Sequence, residues 1–100
     1  MITAIKRPHV KLHWIRGPKT QTDDGGYIIP YYAEECSEMQ IMSVKYAVPH
    51  ANGQGVWYAS KYIGIYPDGA YKQFHLLVNA KYELEEWYQF IKEADHAESV

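Results

Sequence analysis

One hundred residues is the length of a single ordinary domain, and 47% apolar against 22% charged residues is enough to fold without disulfides or a structural metal. Cys36 is the only cysteine, which excludes an intramolecular disulfide and a paired-cysteine zinc site within one chain and makes the reducing cytoplasm the expected location. The formal net charge is −2, no apolar run approaches the ~20 residues of a membrane helix, and no signal-type leader is expected, which argues against membranes and secretion.

In chain order, the first expected element is a half-buried strand over His9–Ile15, where Val10, Leu12 and Trp14 alternate onto one face before Arg16-Gly17-Pro18 ends it. Asp23-Asp24-Gly25-Gly26 reads as a turn. The next stretch is ambiguous. Tyr27 to Tyr32 suits a short strand, but Pro30 followed by Glu34 and Glu35 suits the opening of a helix, and one short helix near residues 31–39 is expected. Ile41 to Val48 reads as a strand with Met42, Val44, Tyr46 and Val48 on one face, closed by Pro49. After the loop His50–Gly55, the segments Val56–Tyr66 and Tyr71–Val78 flank Pro67-Asp68-Gly69 and form an expected hairpin. Leu84, Trp87, Tyr88 and Ile91 then recur at helical spacing, with Asn79 as the expected cap. The expected fold is α+β, a single domain over residues 1–100, with an antiparallel sheet of four or five strands packed by one amphipathic C-terminal helix.

Catalytic and metal chemistry is not legible. His9 and His13 on a strand stand about 13 Å apart and cannot share an ion. His50, His75 and His96 follow no ligand spacing, so no metal and no cofactor are expected. Cys36 lies beside Glu34 and Glu35, whose charges disfavour a thiolate nucleophile. Gly53-Gln54-Gly55 lacks the context of a phosphate-binding loop. A small enzyme or metal protein using histidines is therefore the least favoured reading, and the chain is expected not to be an enzyme.

The unusual feature is ten tyrosines and three tryptophans, more than one small core can bury with every hydroxyl satisfied. Exposed aromatics give large contact area at small entropic loss, so Trp57, Tyr58, Tyr62, Tyr66 and Tyr71 are the expected partner-binding residues. Charge is also polarised. The first nineteen residues carry Lys6, Arg7, Lys11, Arg16 and Lys19 with no acid, whereas from Lys81 onward two lysines face six acids.

A nucleic-acid reading competes on the same residues, with Lys6, Arg7, Lys11, Arg16, Lys61 and Lys72 as its bases and the aromatic hairpin as a stacking platform. A three-stranded sheet backed by a helix, over about Gly55–Asp95, is loosely similar in element order to plant-type and integrase-arm DNA-binding domains. Those sheets carry several arginines. This hairpin has two lysines and none, and the chain is not assigned to that family.

The leading expectation is thus a non-enzymatic protein-binding module that occupies a partner's surface. Phage and mobile-element accessory proteins of this size include inhibitors of host defence of the anti-CRISPR type. A homodimer through edge strands or an aromatic face is compatible with the same composition.

Overall fold

The computed structural model of the chain describes residues 10–98, with side-chain surroundings through residue 94. Its strands are β1 (Trp14–Arg16), β2 (Thr20–Gln21), β3 (Tyr27–Ala33), β4 (Cys36–Pro49), β5 (Val56–Ile65) and β6 (Tyr71–Phe74), followed by the helix α1 (Leu77–Glu98). All pairing is antiparallel in the order β1-β3-β4-β5-β6, with β2 beside β1 on the same edge of β3. This is the α+β sheet-and-helix arrangement expected from the pattern.

The short helix expected near residues 31–39 is not formed. Tyr27–Ala33 and Cys36–Pro49 are strands joined by a two-residue turn at Glu34-Glu35, with a register shift between Tyr32 and Ala33. The hairpin wins because alternation places Ile29, Ala33, Met39 and Ile41 on one face, all of them buried. Long-range pairing on both sides of β3 outweighs the local helix signal. Pro30 is tolerated in this inner strand for a specific reason. A strand residue's N–H and C=O point to the same edge, and Pro30 aims its carbonyl at the Gly17 N–H (2.7 Å), in the gap between β1 and β2 where its missing donor has no ladder partner to satisfy.

The expected first strand is shorter than its alternation suggests. Only Trp14–Arg16 pairs with β3, residues 10–13 are unpaired with the sheet, and His9 lies outside the described residues. The free backbone of this segment is held by side chains. Leu12 N–H donates to the Glu85 carboxylate (2.9 Å), Val10 N–H to Gln89 (3.3 Å), and His13 N–H to Glu35 (2.9 Å). The helix also begins earlier than expected, at Leu77, so Asn79 lies inside its first turn and β6 ends at Phe74.

The core lies between one face of the sheet and α1. Leu12, Ala33, Met39, Ile41, Ala80 and Leu84 form it. Gly64 makes the seat for Leu84, because a methyl group there would stand 3.1 Å from Phe74 and 3.4 Å from Leu84. Trp87 packs edge-on against Tyr66, with ring centroids 5.6 Å apart. Ile91, one turn further, is exposed.

At the far end, Asp24 fastens the β2–β3 turn to β4. Its carboxylate accepts from the Ala47 N–H (3.0 Å), the Gly26 N–H (3.0 Å) and the Thr22 hydroxyl. These donors, Ala47 foremost, hold its carboxyl down at about 2. Gly26 has to be glycine, since any Cβ would collide with the Lys45 carbonyl oxygen.

Candidate functional site: the uncovered sheet face

Register determines which side chains share a face. Across β1, β3, β4, β5 and β6, one row runs Ile15, Tyr32, Gln40, Ile65, Tyr71, and the next runs Pro30, Met42, Ile63, Gln73. Below them come Thr20, Ile28, Val44 and Lys61, then Tyr46 with Ala59, and last Val48 with Trp57. The helix lies on the opposite face, with Ile29, Ala33, Ile41 and Gly64. No residue of the five rows is buried, whereas every buried strand residue points to the helix side. Among the described residues, no element covers this face.

Its chemistry is uniform. Lys61 is the only charged side chain in the five rows, and the uncharged polar ones are Thr20 and Gln73 on edge strands and Gln40 on the central strand β4. β6 pairs only with Tyr62–Ile65, so Lys61 stands on a stretch of β5 with no outer neighbour among the described residues, but its ammonium turns inward over the Tyr46 ring of β4 (4.9 Å to the centroid). The middle of the face is aliphatic, with Pro30, Met42, Val44 and Ile63. The most exposed of its large hydrophobic members stand toward its two ends, Trp57 at 48% and Tyr71 at 76%. Sheet faces in contact with water ordinarily alternate apolar-in with polar-out; here β4 has Met42, Val44, Tyr46 and Val48 outward.

The five aromatics expected to bind a partner do not form one surface. Trp57 and Tyr71 belong to the uncovered face. Tyr58, Tyr62 and Tyr66 point to the helix side, where Tyr62 and Tyr66 pack on the core and burial raises the Tyr66 hydroxyl's pKa, with the nearby Glu83 and Asp68 adding to the effect. The residues missed by sequence reasoning are Ile28, Pro30, Met42, Val44, Tyr46 and Ile63. Four-residue alternation in β4 was the available signal, but it did not reveal that the helix takes the other face.

The basic residues are also dispersed. Lys11 is exposed within the unpaired segment of residues 10–13, and Arg16 is on the helix side of β1. Lys72 is ion-paired with Glu83 at 3.4 Å, Lys61 is alone on the uncovered face, and Lys6 and Arg7 lie outside the described residues. A different cationic group does assemble, beyond the start of α1 on the helix side. Lys19 stands over Tyr27 (4.3 Å), and Lys45 lies between Tyr27 (5.5 Å) and Tyr58 (5.4 Å). Among the described residues no cluster of histidine, cysteine and carboxylates has metal-binding geometry, and no helix is long and apolar enough to cross a membrane. His13 is instead paired with Glu35 (2.8 Å), whose hydrogen bond and charge raise the imidazole's pKa.

The described residues define an α+β fold with one helix and an uncovered aliphatic and aromatic sheet surface. Compared with known proteins, the chain matches no family model, no curated protein and no solved structure.

Proposed function

We propose that the chain is a non-enzymatic protein-binding module that acts by occupying a partner's surface with its uncovered sheet face. One observation carries the reading: five rows of strand side chains, mostly apolar and with Lys61 as their single charge, lie uncovered by any described element. Trp57 and Tyr71 are the rigid aromatic anchors, and Met42 and Ile63 the aliphatic centre. An inhibitor of the anti-CRISPR type, carried by a phage or mobile element, is one form that such occupancy takes.

The test compares the wild-type chain with Trp57→Ala, Ile63→Lys and the helix variant Phe90→Lys as immobilised baits, with captured proteins identified and their affinities then measured. A partner held by wild type and Phe90→Lys should bind Trp57→Ala about 30-fold more weakly, and Ile63→Lys more weakly still. Equal binding to all four would refute the assignment of this face.

A second reading, nucleic-acid binding, draws on the Lys19–Tyr27–Lys45–Tyr58 stack alone. It requires affinity that falls steeply with salt and weakens in Lys45→Ala.

A further inference from the structure

We infer that the first occupant of the uncovered face is a second copy of this chain, packed sheet against sheet about a two-fold axis. The inference rests on the reading of that face as a protein-docking surface and adds the identity of the partner. Three observations support it: the shape of the molecule, the area of the face and its charge.

The Cα radius of gyration is 17.4 Å, against roughly 13 Å for a compact chain of this length. The smallest principal extent, 20 Å, accommodates a sheet and one helix layer but no third layer. A sheet with two apolar faces needs both covered, and α1 supplies cover for one. A second copy adds the missing layer at the usual spacing of about 10 Å between packed sheets.

Each strand residue on one face tiles about 33 Å², from about 6.8 Å along the strand and about 4.8 Å between strands. The five rows therefore project roughly 550 Å² per copy, and the corrugation of protruding side chains such as Trp57 and Tyr71 raises the accessible area above that. Full overlap of two such faces gives about 1,100 Å² before corrugation is counted, at the lower edge of the range of about 1,200–2,000 Å² in which stable interfaces fall.

Charge selects the occupant. A partner must be nearly free of charge over the whole patch, because an ion desolvated against Met42, Val44 or Ile63 would have no counter-ion there. The same face of a second copy meets that requirement. In a two-fold contact both surfaces are this patch, and the one lysine on each, Lys61, holds its ammonium over the Tyr46 ring, whose face replaces part of the water it loses.

Sedimentation equilibrium on the full chain, from about 1 to 100 µM, tests this. The expected mass is twice the 11.6 kDa of the monomer. Ile63→Lys and Met42→Lys, made separately and checked by far-UV circular dichroism, should each raise the dimer Kd at least about 30-fold, while Phe90→Lys on the outer helix surface leaves it unchanged. Diluting the wild type should separate the copies without any substitution. A chain monomeric throughout that range overturns the inference, whether the face then binds another protein or is covered by the chain's own first nine residues. A dimer surviving both face substitutions overturns it as well, because pairing then uses an edge or the helix. The two readings fail separately. A monomer whose capture of another protein is lost in Ile63→Lys sinks self-pairing and leaves protein docking intact, whereas a face-dependent dimer that captures nothing upholds self-pairing and sinks occupancy of a foreign partner.

Discussion

Replacing Glu85 by alanine should loosen the N-terminal segment from the helix. Glu85 is buried, and its carboxylate accepts from the Leu12 N–H at 2.9 Å and from the Trp14 indole N–H at 3.2 Å. Leu12 has no ladder partner, so its amide depends on this acceptor. A hydrogen bond to a charged group contributes about 1.5–3 kcal/mol, and the Leu12 bond is buried while the indole bond is partly open to water. The expected loss is therefore about 2–4 kcal/mol, with the Leu12 bond contributing most of it. At roughly 4–8 °C per kcal/mol for a domain of this size, the melting temperature should fall by at least about 8 °C. Glu85→Gln keeps one acceptor oxygen and should lose less than half as much. Thermal melts by circular dichroism give the stability, and amide exchange at Leu12 gives the location. If Leu12 is equally protected in wild type and Glu85→Ala, the tether does not operate and the reasoning fails.

The remaining predictions probe the core and the two polar clasps. Leu84→Ala, at a fully buried position seated on Gly64 and Phe74, should cost about 3–5 kcal/mol, while Phe90→Ala, 66% exposed on the same helix, should change stability by less than about 0.5 kcal/mol in denaturant melts. Asp24 has its pKa lowered from 3.8 to about 2, so its stabilising contribution is fully present above about pH 4 and is lost as pH falls through about 2; melts across that window should be flatter in Asp24→Asn. His13 has its pKa raised above 6.5 by the Glu35 hydrogen bond, so its contribution is present below pH 6.5 and lost as pH rises through the folded value; NMR titration should return the imidazole toward 6.5 in Glu35→Gln.

The architecture was readable because its signals are local. Alternation marks β4 and β5, Pro67-Asp68-Gly69 marks the hairpin, and the spacing of Leu84, Trp87 and Tyr88 marks α1. The misread parts depend on distant partners. The Glu34-Glu35 turn resembles a helix start until His13, twenty-two residues away, is seen donating to Glu35. Glu85, one of two adjacent glutamates in an acidic helix, looks solvated until Leu12 and Trp14 are brought against it. The aromatic site was half legible. Trp57 and Tyr71 are exposed as expected, but period-two alternation gives each strand two faces and does not say which one the helix covers.

That ambiguity has a limit set by size, and the limit leads to the uncovered face. A 22-residue helix is about 33 Å long and about 10 Å wide with its side chains. Five paired strands span about 24 Å across, and the fourteen residues of β4 extend about 46 Å. The outer strands are much shorter than β4, so one helix covers about half of one sheet face and none of the other. The helix settles on the face where Ala33 and Gly64 allow close approach and Met39, Ile41 and Leu84 interlock. The opposite face carries Pro30, Met42, Ile63 and Ile65 at the corresponding positions, with no glycine among them to admit a helix so closely, and keeps its side chains outward. Close packing thus selects for the core the face where Ala33 and Gly64 leave room for the helix, and the apolar side chains of the other face are left for an external surface to cover.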